Sequence, residues 1–383
     1  MKKLLDTFKD INTNSITKNI CDKMRQLLKK DCNIILFGAG VGGVNTLSFI
    51  KKNLLEQEYN IKCFVDNNPR KWYTVLDGVE ILPCESVFKD YNGELIIISC
   101  GEGDEIISQL EDYKIPLERL YIPDVNTINE NDPVYIRNHI KEYQYLYENL
   151  KDDKSRQVLE TIVTYKITHN MDVISEIADS SASQYFDTEI ITYKEDDIFL
   201  DCGAYIGDTV LQYLKNNKGI YESIICVEAD PDNCDVIRKN ILGMIRGKLY
   251  EVACWNKKTS VLFDKIGSGS GTLNIRKNSN NEKVQVKADT IDNLLNGERV
   301  SFIKMDIEGA EYKALLGAVD TIQRWHPTLM VSAYHRQDDL IKLPALIHSM
   351  NEEYEFYLRH YRAKSIQETI LYAVDNREKY TYD

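Results

Sequence analysis

The 383-residue sequence predicts an α/β protein with two doubly wound parallel sheets joined by a helical connector. Short apolar runs of strand length alternate with helical patterns in both halves of the chain. In each half, one such run leads directly into a glycine-rich turn and then a helix, at residues 33–43 and 198–209. Residues 126–190 carry helical patterns with no strand-like run. The predicted domains are therefore residues 1–125, the connector 126–190, and residues 191–383.

The first predicted unit contains four buried-strand runs, at residues 33–37, 61–65, 94–99 and 120–122. The run NIILF enters the turn GAGVGG at residues 38–43, and apolar residues then recur at helical spacing. Strands that alternate with helices indicate a parallel sheet covered by helices on both faces. Residues 1–125 are therefore predicted to form a Rossmann-like domain.

The first glycine turn is a candidate second nucleotide site. Gly38, Gly40 and Gly43 match the pattern G-x-G-x-x-G, in which backbone N–H groups cradle a phosphate. Asp66 ends the next strand, 26 residues after Gly40, where a ribose-binding acid belongs. The pattern alone indicates NAD, but residues 1–125 contain neither a histidine nor a Tyr-x-x-x-Lys motif for hydride transfer. A nucleotide or nucleotide-sugar therefore ranks above NAD, and a fold used only for docking or oligomerisation is the third interpretation.

The helical connector, residues 126–190, places its apolar and aromatic residues on single helical faces, as packing surfaces do. An exposed face of these helices could support a homodimer. The unit that follows has strand runs at 198–201, 223–228, 248–252, 284–286, 301–306 and 328–332. Two further runs, 354–361 and 369–374, are joined by a short polar link and are predicted to pair antiparallel. The segment SGSG at 268–271 is interpreted as a mobile acceptor loop or as a plain hairpin turn.

The second glycine turn has the pattern D-x-G-x-x-x-G, which lacks the arrangement that holds a pyrophosphate. Its glycines let the backbone approach a ligand such as the amino-acid part of S-adenosylmethionine (SAM). Glu228 ends the next strand, 25 residues after Gly203, where a carboxylate can bind both ribose hydroxyls. In the competing interpretation, Glu228 only caps a helix and Asp201 faces solvent. The predicted cofactor-binding residues are Asp201, Gly203, Ala204, Tyr205, Gly207, Asp208, Thr209, Glu228, Ala229, Asp230 and Asn233.

Four sequence blocks in this unit resemble the FkbM family of SAM-dependent methyltransferases. LDCGAYIGDT and VEADPDN look like its first and second motifs, IKMDIEGAE is similar to its most distinctive block, and HPTLMVSAYH follows at its fifth strand. The resemblance covers about residues 185–375 and implies a class I methyltransferase fold with a terminal antiparallel hairpin. It also implies methylation of a hydroxyl, commonly on sugars or natural products. Separately, residues 63–83 look like the nucleotide-binding amino-terminal domain of bacterial sugar-modifying enzymes.

The candidate catalytic residues lie at the ends of two strands of this unit. Methyl transfer to a hydroxyl needs in-line alignment and a group that receives the hydroxyl proton. Asp306 ends one strand, and His335, whose ordinary pKa suits a base near neutrality, lies beyond another. Lys304 could orient a carboxylate, and Glu311 follows in the same block. In the alternative reading, Asp306 caps a helix, Glu311 favours the first helical turn through the dipole, and His335 is an ordinary strand-edge histidine.

A metal site is a separate hypothesis. The side chains of Asp306, Glu308, His335, Asp338 and Asp339 offer the oxygen and nitrogen ligands that Mg²⁺ or Mn²⁺ accept. Their spacing follows no fixed ligand pattern. The sequence therefore assigns no metal ligand, and a divalent metal stays an alternative.

Composition restricts the partners. The chain has 47 Lys and Arg against 60 Asp and Glu, a net charge of −13, which disfavours nucleic acids and anionic membranes as partners. Its apolar runs are too short to span a membrane, and the opening segment lacks a signal-peptide core. Nine scattered cysteines without a CxxC motif fit a reducing cytoplasm.

The leading prediction is a cytoplasmic SAM-dependent O-methyltransferase acting on a sugar, glycan precursor or related small molecule. Two alternatives stay open. One is a nucleotide-sugar-binding scaffold with an inactive methyltransferase domain, and the other is an NAD-dependent sugar-modifying enzyme.

Overall fold

A computed structural model describes residues 15–28, 33–100, 103–265, 272–273 and 282–375. The described residues divide into two compact units. The amino-terminal unit draws on Met1–Ile140, Leu159–Ala178 and Arg362–Ile366, and the carboxyl-terminal unit on Lys141–Val158, Asp179–Tyr361 and Gln367–Asp383. Both units therefore share the predicted connector, and the domain boundaries at 125 and 190 stay a prediction.

The amino-terminal unit contains a six-stranded sheet in the order β3-β4-β2-β1-β5-β6, in which only the β3–β4 pair is antiparallel. The runs predicted at 33–37, 61–65, 94–99 and 120–122 are confirmed as β1, β2, β5 and β6. The strands are β1 (Asn33–Phe37), β2 (Asn60–Val65), β3 (Val75–Leu76), β4 (Val79–Leu82), β5 (Leu95–Ile98) and β6 (Leu120–Tyr121), and the helices are α1 (Ile16–Leu27), α2 (Val41–Asn53), α3 (Cys84–Phe88) and α4 (Gly103–Asp112).

The β3–β4 hairpin was not predicted. Its turn is Asp77-Gly78, and both residues have positive φ, 49° and 82°. An Asp-Gly pair with this backbone is typical of a two-residue hairpin turn. The signal was present in the sequence, but two-residue and four-residue strands are too short to show apolar alternation.

The connector is helical, as predicted. It holds α5 (Asp132–Asn138), α6 (Ile140–Asn149) and α7 (Asp153–Thr168), and Leu150 forms an isolated β-bridge with Phe356. Tyr143 and Leu146 are buried on one side of α6, which supports their interpretation as packing residues. Across the part of the chain that the structure describes, no helix combines the length and the apolar character needed to cross a membrane.

The carboxyl-terminal unit has a seven-stranded sheet in the order β16-β17-β15-β14-β7-β8-β9 and a separate four-stranded sheet in the order β10-β13-β11-β12. In the larger sheet only β17 runs antiparallel to its neighbours. This confirms the α/β class, and the sheet is consistent with a class I methyltransferase fold with its terminal hairpin. The strands are β7 (Ile198–Cys202), β8 (Ser223–Glu228), β9 (Gly247–Glu251), β10 (Ala253–Cys254), β11 (Thr259–Lys265), β12 (Thr272–Leu273), β13 (Glu282–Asp289), β14 (Phe302–Met305), β15 (Thr328–Ser332), β16 (Tyr354–His360) and β17 (Thr369–Asp375).

Six helices complete this unit: α8 (Asp208–Asn216), α9 (Pro231–Asn240), α10 (Ile291–Leu295), α11 (Glu311–Leu316), α12 (Val319–Trp325) and α13 (Asp339–Met350). The segment 268–271, interpreted above as an acceptor loop or a turn, lies outside the described residues.

The strand order indicates where a ligand would bind. From β7 the chain builds outward through β8 and β9 on one side, and it returns to β14 and β15 on the other. Ligands of open α/β sheets bind where the order reverses in this way, at the carboxyl ends of the strands. Here the reversal lies between β7 and β14, which pair in parallel with Asp201 opposite Lys304.

Candidate active site

The glycines of the turn after β7 are required by close packing within the chain. Gly203 and Gly207 have φ of +79° and +88°, a conformation that other residues rarely adopt. A Cβ on Gly203 would lie 2.0 Å from the backbone oxygen of Asp306, and one on Gly207 would lie 2.4 Å from Cγ1 of Ile241. Packing within the chain thus gives each glycine a structural reason, and their role in making room for a ligand stays a prediction.

Tyr205 is the unusual residue of this turn. Its φ is +48°, and its side chain belongs to the exposed large hydrophobic residues, with 37% exposure. A left-handed backbone at an aromatic residue costs about 1–2 kcal/mol. Strain of this kind is often found at functional sites, and the role of Tyr205 in binding a cofactor stays a prediction.

Glu228 ties the end of β8 to the same turn. Its Oε2 accepts the backbone N–H of Tyr205 at 2.8 Å, and its Oε1 accepts those of Ala229 and Asp230 at 2.9 and 2.8 Å. Burial raises the pKa of this carboxyl, against the three N–H donors that lower it. A carboxylate offers about four acceptor positions, so these three bonds leave one position unused. None of the three donors lies within α9, so Glu228 does not cap that helix.

The other predicted cofactor residues follow the same two strand ends. Asp230 accepts the N–H of Asp232 at 2.8 Å and so caps α9, and Asn233 is buried in that helix. Asp208 and Thr209 open α8, and Ala204 is fully buried. The structure therefore brings the predicted set to one edge of the sheet.

Lys304 lies on the cofactor side of the site. Its Nζ donates to the carbonyl oxygen of Gly203 at 2.8 Å and lies 3.1 Å from Oδ1 of Asp201. Asp201 is completely buried, so the interpretation as a solvent-facing strand end does not apply. Although this ion pair is close, neither oxygen of Asp201 makes an aligned hydrogen bond among the described residues. Lys304 therefore holds the glycine turn in place through the carbonyl oxygen of Gly203. Neither of these two contacts involves a residue proposed to bind the acceptor.

Lys304→Met is expected to lower the free energy of unfolding by about 2 kcal/mol near pH 8, less than the 3–5 kcal/mol typical of a broken buried pair. The loss is smaller because Asp201 can take up a proton, and urea denaturation measures it. The double variant Asp201→Asn/Lys304→Met is the control, since it removes both charges and should recover most of the loss. A double variant no more stable than Lys304→Met would contradict a dominant ion pair.

The effect of Lys304→Met on the free energy of unfolding is expected to depend on pH. Burial raises the pKa of Asp201 from 3.8 to about 6, against the Lys304 ammonium that lowers it. The folded protein therefore holds a proton that the unfolded chain releases, and the free energy of unfolding falls as the pH rises through this window. Without Lys304 the pKa rises further and the fall continues to higher pH. The gap between variant and wild type should widen from about pH 5 to about pH 8.

Asp306, just after β14, is the centre of a second group of contacts. Its Oδ2 accepts the hydroxyl of Tyr185 at 2.9 Å, and its Oδ1 accepts that of Tyr334 at 3.3 Å. The Asp306 side chain keeps 26% exposure, although its two tyrosine partners are largely buried. This is a fixed and accessible carboxylate, as an acceptor-binding group requires.

The two tyrosines were not predicted from the sequence. Tyr334 directly precedes His335 in the block HPTLMVSAYH, so its position in that block was an available signal. Tyr185 lies 121 residues from Asp306 along the chain, and no spacing pattern links the two residues. Tyr185 also contacts the hydroxyl of Ser332 at 3.2 Å.

His335 is surrounded by carboxylates. Its Nε2 lies 3.5 Å from Asp306 Oδ1 and 3.7 Å from Glu308 Oε2, and its Nδ1 lies 3.0 Å from Glu311 Oε1. Burial alone would lower the pKa of His335, but Glu311, Asp306 and Glu308 raise it to about 10. In the protein alone the imidazole is therefore charged at neutral pH. The raised pKa disfavours His335 as a proton acceptor near neutrality, and its catalytic role stays a prediction.

Glu311 shapes the turn between β14 and α11. Its Oε1 accepts the backbone N–H of Ile307 at 3.0 Å and that of Gly309 at 3.3 Å. Within this turn Glu308 has φ of +56°, a strained value for a residue with a side chain. The block IKMDIEGAE thus forms a turn that Glu311 stabilises, and this turn places Asp306 and Glu308 near His335. Burial would raise the pKa of Asp306, but Lys304 and His335 lower it, so this carboxylate is ionised.

The first glycine turn has the geometry of a phosphate cradle. Gly38 takes φ of +103°, a Cβ on Gly43 would lie 2.0 Å from the Gly38 oxygen, and a Cβ on Gly40 would meet nothing within 4 Å. These are the three roles of the fingerprint: a tight turn, close helix packing and an open approach. Asp66, however, already accepts the N–H groups of Ala39 and Asn68 and the Lys71 ammonium, each at 2.8 Å.

Two family models match different parts of the chain. Residues 201–364 match the family model described as methyltransferase FkbM domain, and residues 30–121 match the model described as C2185-like, N-terminal. The second description names no sugar-modifying enzyme, so that resemblance stays a prediction. No curated protein matches the chain.

Among solved structures, methyltransferase FkbM from Methylobacillus flagellatus KT is similar over 97% of this chain and 98% of its own, with a TM-score of 0.65 and 19% identity. Aeropyrum pernix fibrillarin, solved with natively bound SAM, is 12% identical over 51% of this chain and 74% of its own, with a TM-score of 0.33. Precorrin-6y C5,15-methyltransferase from Geobacter metallireducens GS-15 is 14% identical over 51% and 98%, with a TM-score of 0.28. Residues 201–364 are thus similar in sequence to the FkbM methyltransferase domain, which supports a methyltransferase, and the chain shares the fold of a solved FkbM methyltransferase.

Proposed function

We propose that this protein transfers a methyl group from SAM to a hydroxyl of a sugar, glycan precursor or related small molecule. The observation that carries this proposal is the contact between the two strand ends. Gly203 of the cofactor turn packs directly against the backbone of Asp306, whose N–H also donates to Cys202 at 3.1 Å. A carboxylate able to bind a hydroxyl therefore lies beside the turn that would hold the cofactor.

The residues present fit SAM. Asp201 is completely buried and lies 3.1 Å from the Lys304 ammonium, so it would support the glycine turn without contacting SAM itself. Glu228 keeps an acceptor position for a ribose hydroxyl, and Tyr205 offers an exposed ring at the mouth of the turn. SAM would supply the sulfonium methyl group. The protein holds the turn rigid through Lys304, so that little ordering is needed when the ligand binds.

The acceptor would bind at Asp306. Tyr185 and Tyr334 fix the carboxylate, which then accepts the hydrogen bond of the reacting hydroxyl and receives its proton. Glu308 and Glu311 add negative charge within reach of His335. A neutral polyhydroxyl compound suits this surrounding better than a polyanion, since like charges repel at short range. The net charge of −13 disfavours nucleic acid in the same way.

Two measurements test this function. Calorimetry with S-adenosylhomocysteine should show saturable, micromolar binding, and labelled SAM should transfer its methyl group to hydroxyls of a nucleotide-sugar or glycan pool. Absent binding would overturn the cofactor assignment. Binding without transfer to any hydroxyl would favour the alternative of a scaffold with an inactive methyltransferase domain.

A nucleotide or nucleotide-sugar at the first glycine turn is the second candidate function, favoured by the open approach to Gly40. NAD ranks lower, because residues 1–125 contain neither a histidine nor a Tyr-x-x-x-Lys motif for hydride transfer. Thermal-shift measurements with nucleotide-sugars, NAD and SAM separate these ligands. A shift with NAD and none with SAM would instead favour the oxidoreductase. The cytoplasmic location and the homodimer stay predictions.

A further inference from the structure

Three side chains beside the candidate acceptor position form a set that can hold a cation. Asp306, Glu311 and His335 each place one ligand-type atom within 4.8 Å of the others. Glu308 adds a carboxylate oxygen 3.7 Å from Nε2 of His335. The sequence assigned no metal ligands because this set joins a turn after β14 to a residue beyond β15, and no fixed spacing connects them.

Two buried atoms of this set lack partners. Glu311 is fully buried, and its Oε2 has no hydrogen-bond donor among the residues that the structure describes. Nδ1 of His335, on a side chain with 10% exposure, lies 3.0 Å from the other oxygen of Glu311 without hydrogen-bond alignment. A buried carboxylate oxygen without a donor is costly, so these atoms indicate a partner that the chain does not supply.

The charge of the cluster indicates which partner. Three carboxylates, those of Asp306, Glu308 and Glu311, surround one imidazole, which is neutral when it binds a metal, so the cluster has an excess of negative charge. The buried Asp339 carboxylate is a further acidic group next to His335 and Glu311. Lys304 is already engaged by Asp201 and Gly203, and Arg336 donates its Nε to the carbonyl oxygen of Gly309. A divalent cation would balance the remaining charge.

We propose that Asp306, Glu311 and His335 bind a divalent cation of the Mn²⁺ type. Two carboxylates suit hard cations such as Mg²⁺ and Mn²⁺, and an imidazole ligand favours the transition metal of the two. Cation–ligand distances of about 2.1 Å place neighbouring ligand atoms about 3 Å apart. The cluster therefore needs only small side-chain movements to close on an ion.

Three protein ligands leave positions for other oxygens in an octahedral shell. On the proposed methyl-transfer function, which this step assumes, two adjacent hydroxyl oxygens of the acceptor would take these positions. A cation bound to the reacting hydroxyl would lower its pKa and stabilise the oxygen anion. The hydroxyl proton would pass to Glu308, a carboxylate of the cluster that is not a proposed ligand, and the oxygen would then take the methyl group of SAM, which leaves as S-adenosylhomocysteine. The substrate class is then narrowed to acceptors with neighbouring hydroxyls, such as a sugar diol.

Calorimetry with MnCl₂ on the full chain, freed of metal with EDTA and then dialysed, tests the site without any cofactor. Saturable binding at one site is expected, and Asp306→Asn and His335→Gln should each weaken it by at least about tenfold. Asp338→Asn is the matched control. Asp338 was a candidate ligand in the sequence, but it pairs with Lys342 and lies outside the cluster, so its variant should bind Mn²⁺ like wild type.

Absent saturable binding in the wild type, or equal affinity in all three variants, would overturn the cation site. The melting temperature of each variant shows whether it is folded. If one of the two ligand variants does not fold, the other still tests the site. S-adenosylhomocysteine titrated in the presence of EDTA gives a separate result for the cofactor site. The cation proposal and the methyl-transfer proposal can therefore fail independently.

Discussion

Gly203→Ala is expected to lower the free energy of unfolding by about 3–5 kcal/mol, as the sum of a clash in a packed interior and a left-handed backbone at a non-glycine residue. The added Cβ would lie 2.0 Å from the Asp306 oxygen, and that oxygen belongs to the backbone after a central strand. Neither β7 nor β14 can move without breaking the parallel pairing between them. Urea denaturation followed by circular dichroism measures the loss.

Gly219→Ala is the matched control. Gly219 has nearly the same φ, +74° against +79°, but a Cβ there would meet nothing within 4 Å. This variant should lose only the conformational part, about 1–2 kcal/mol. The difference between the two variants isolates the contact with Asp306. Equal losses would show that the turn after β7 relaxes and that the two strand ends are not held together.

The result bears on how cofactor binding is assigned. A Gly203 variant that fails to bind SAM would have lost the arrangement of two strands, so its failure says little about a direct ligand contact. The same reasoning applies to Gly207, where a Cβ would meet Ile241. In the first turn the situation is different, because a Cβ on Gly40 has open space around it. One glycine motif can thus serve internal packing at one position and ligand approach at another.

The sequence was most informative about the sheets. Strands such as β1, β7 and β8 are continuous apolar runs because both of their faces are buried, and this signal is local in the chain. The hairpin β3–β4 and the two-residue strands β10 and β12 escaped prediction because such short elements carry no apolar period. Their pairing depends on partners elsewhere in the fold.

The same distinction between local signals and contacts made by the fold applies to the residues of the site. Asp201, Glu228 and Asp306 were identifiable because each lies at or just after the carboxyl end of a strand, and the fold brings the ends of neighbouring parallel strands together. The role of His335 was not identifiable, because three carboxylates from another part of the chain set its charge. The contact between Tyr185 and Asp306 likewise exists only in the folded chain.

Asp306→Asn is expected to lower kcat for methyl transfer by about 10²–10⁴-fold, the range for removing a group that receives a proton in the transition state. The amide has nearly the same shape, and its oxygen can still accept a hydrogen bond from Tyr185 or Tyr334, so the fold should persist. Affinity for S-adenosylhomocysteine should be unchanged, because the cofactor residues lie at β7 and β8. A fall in kcat with unchanged cofactor affinity would mean that the lost interaction is made in the transition state.

Asp338→Asn separates this role from a general loss of negative charge. The side chains of Asp306 and Asp338 have the same exposure, 26%, but Asp338 forms an ion pair with Lys342 and contacts neither tyrosine. Its variant should keep wild-type kcat. If both substitutions lower kcat equally, the acidic surroundings as a whole assist the reaction and Asp306 has no special place in it. If only Asp306→Asn does so, the reaction needs a carboxylate at this position, either to receive the hydroxyl proton or to hold the proposed cation, because the two variants remove the same charge at the same exposure.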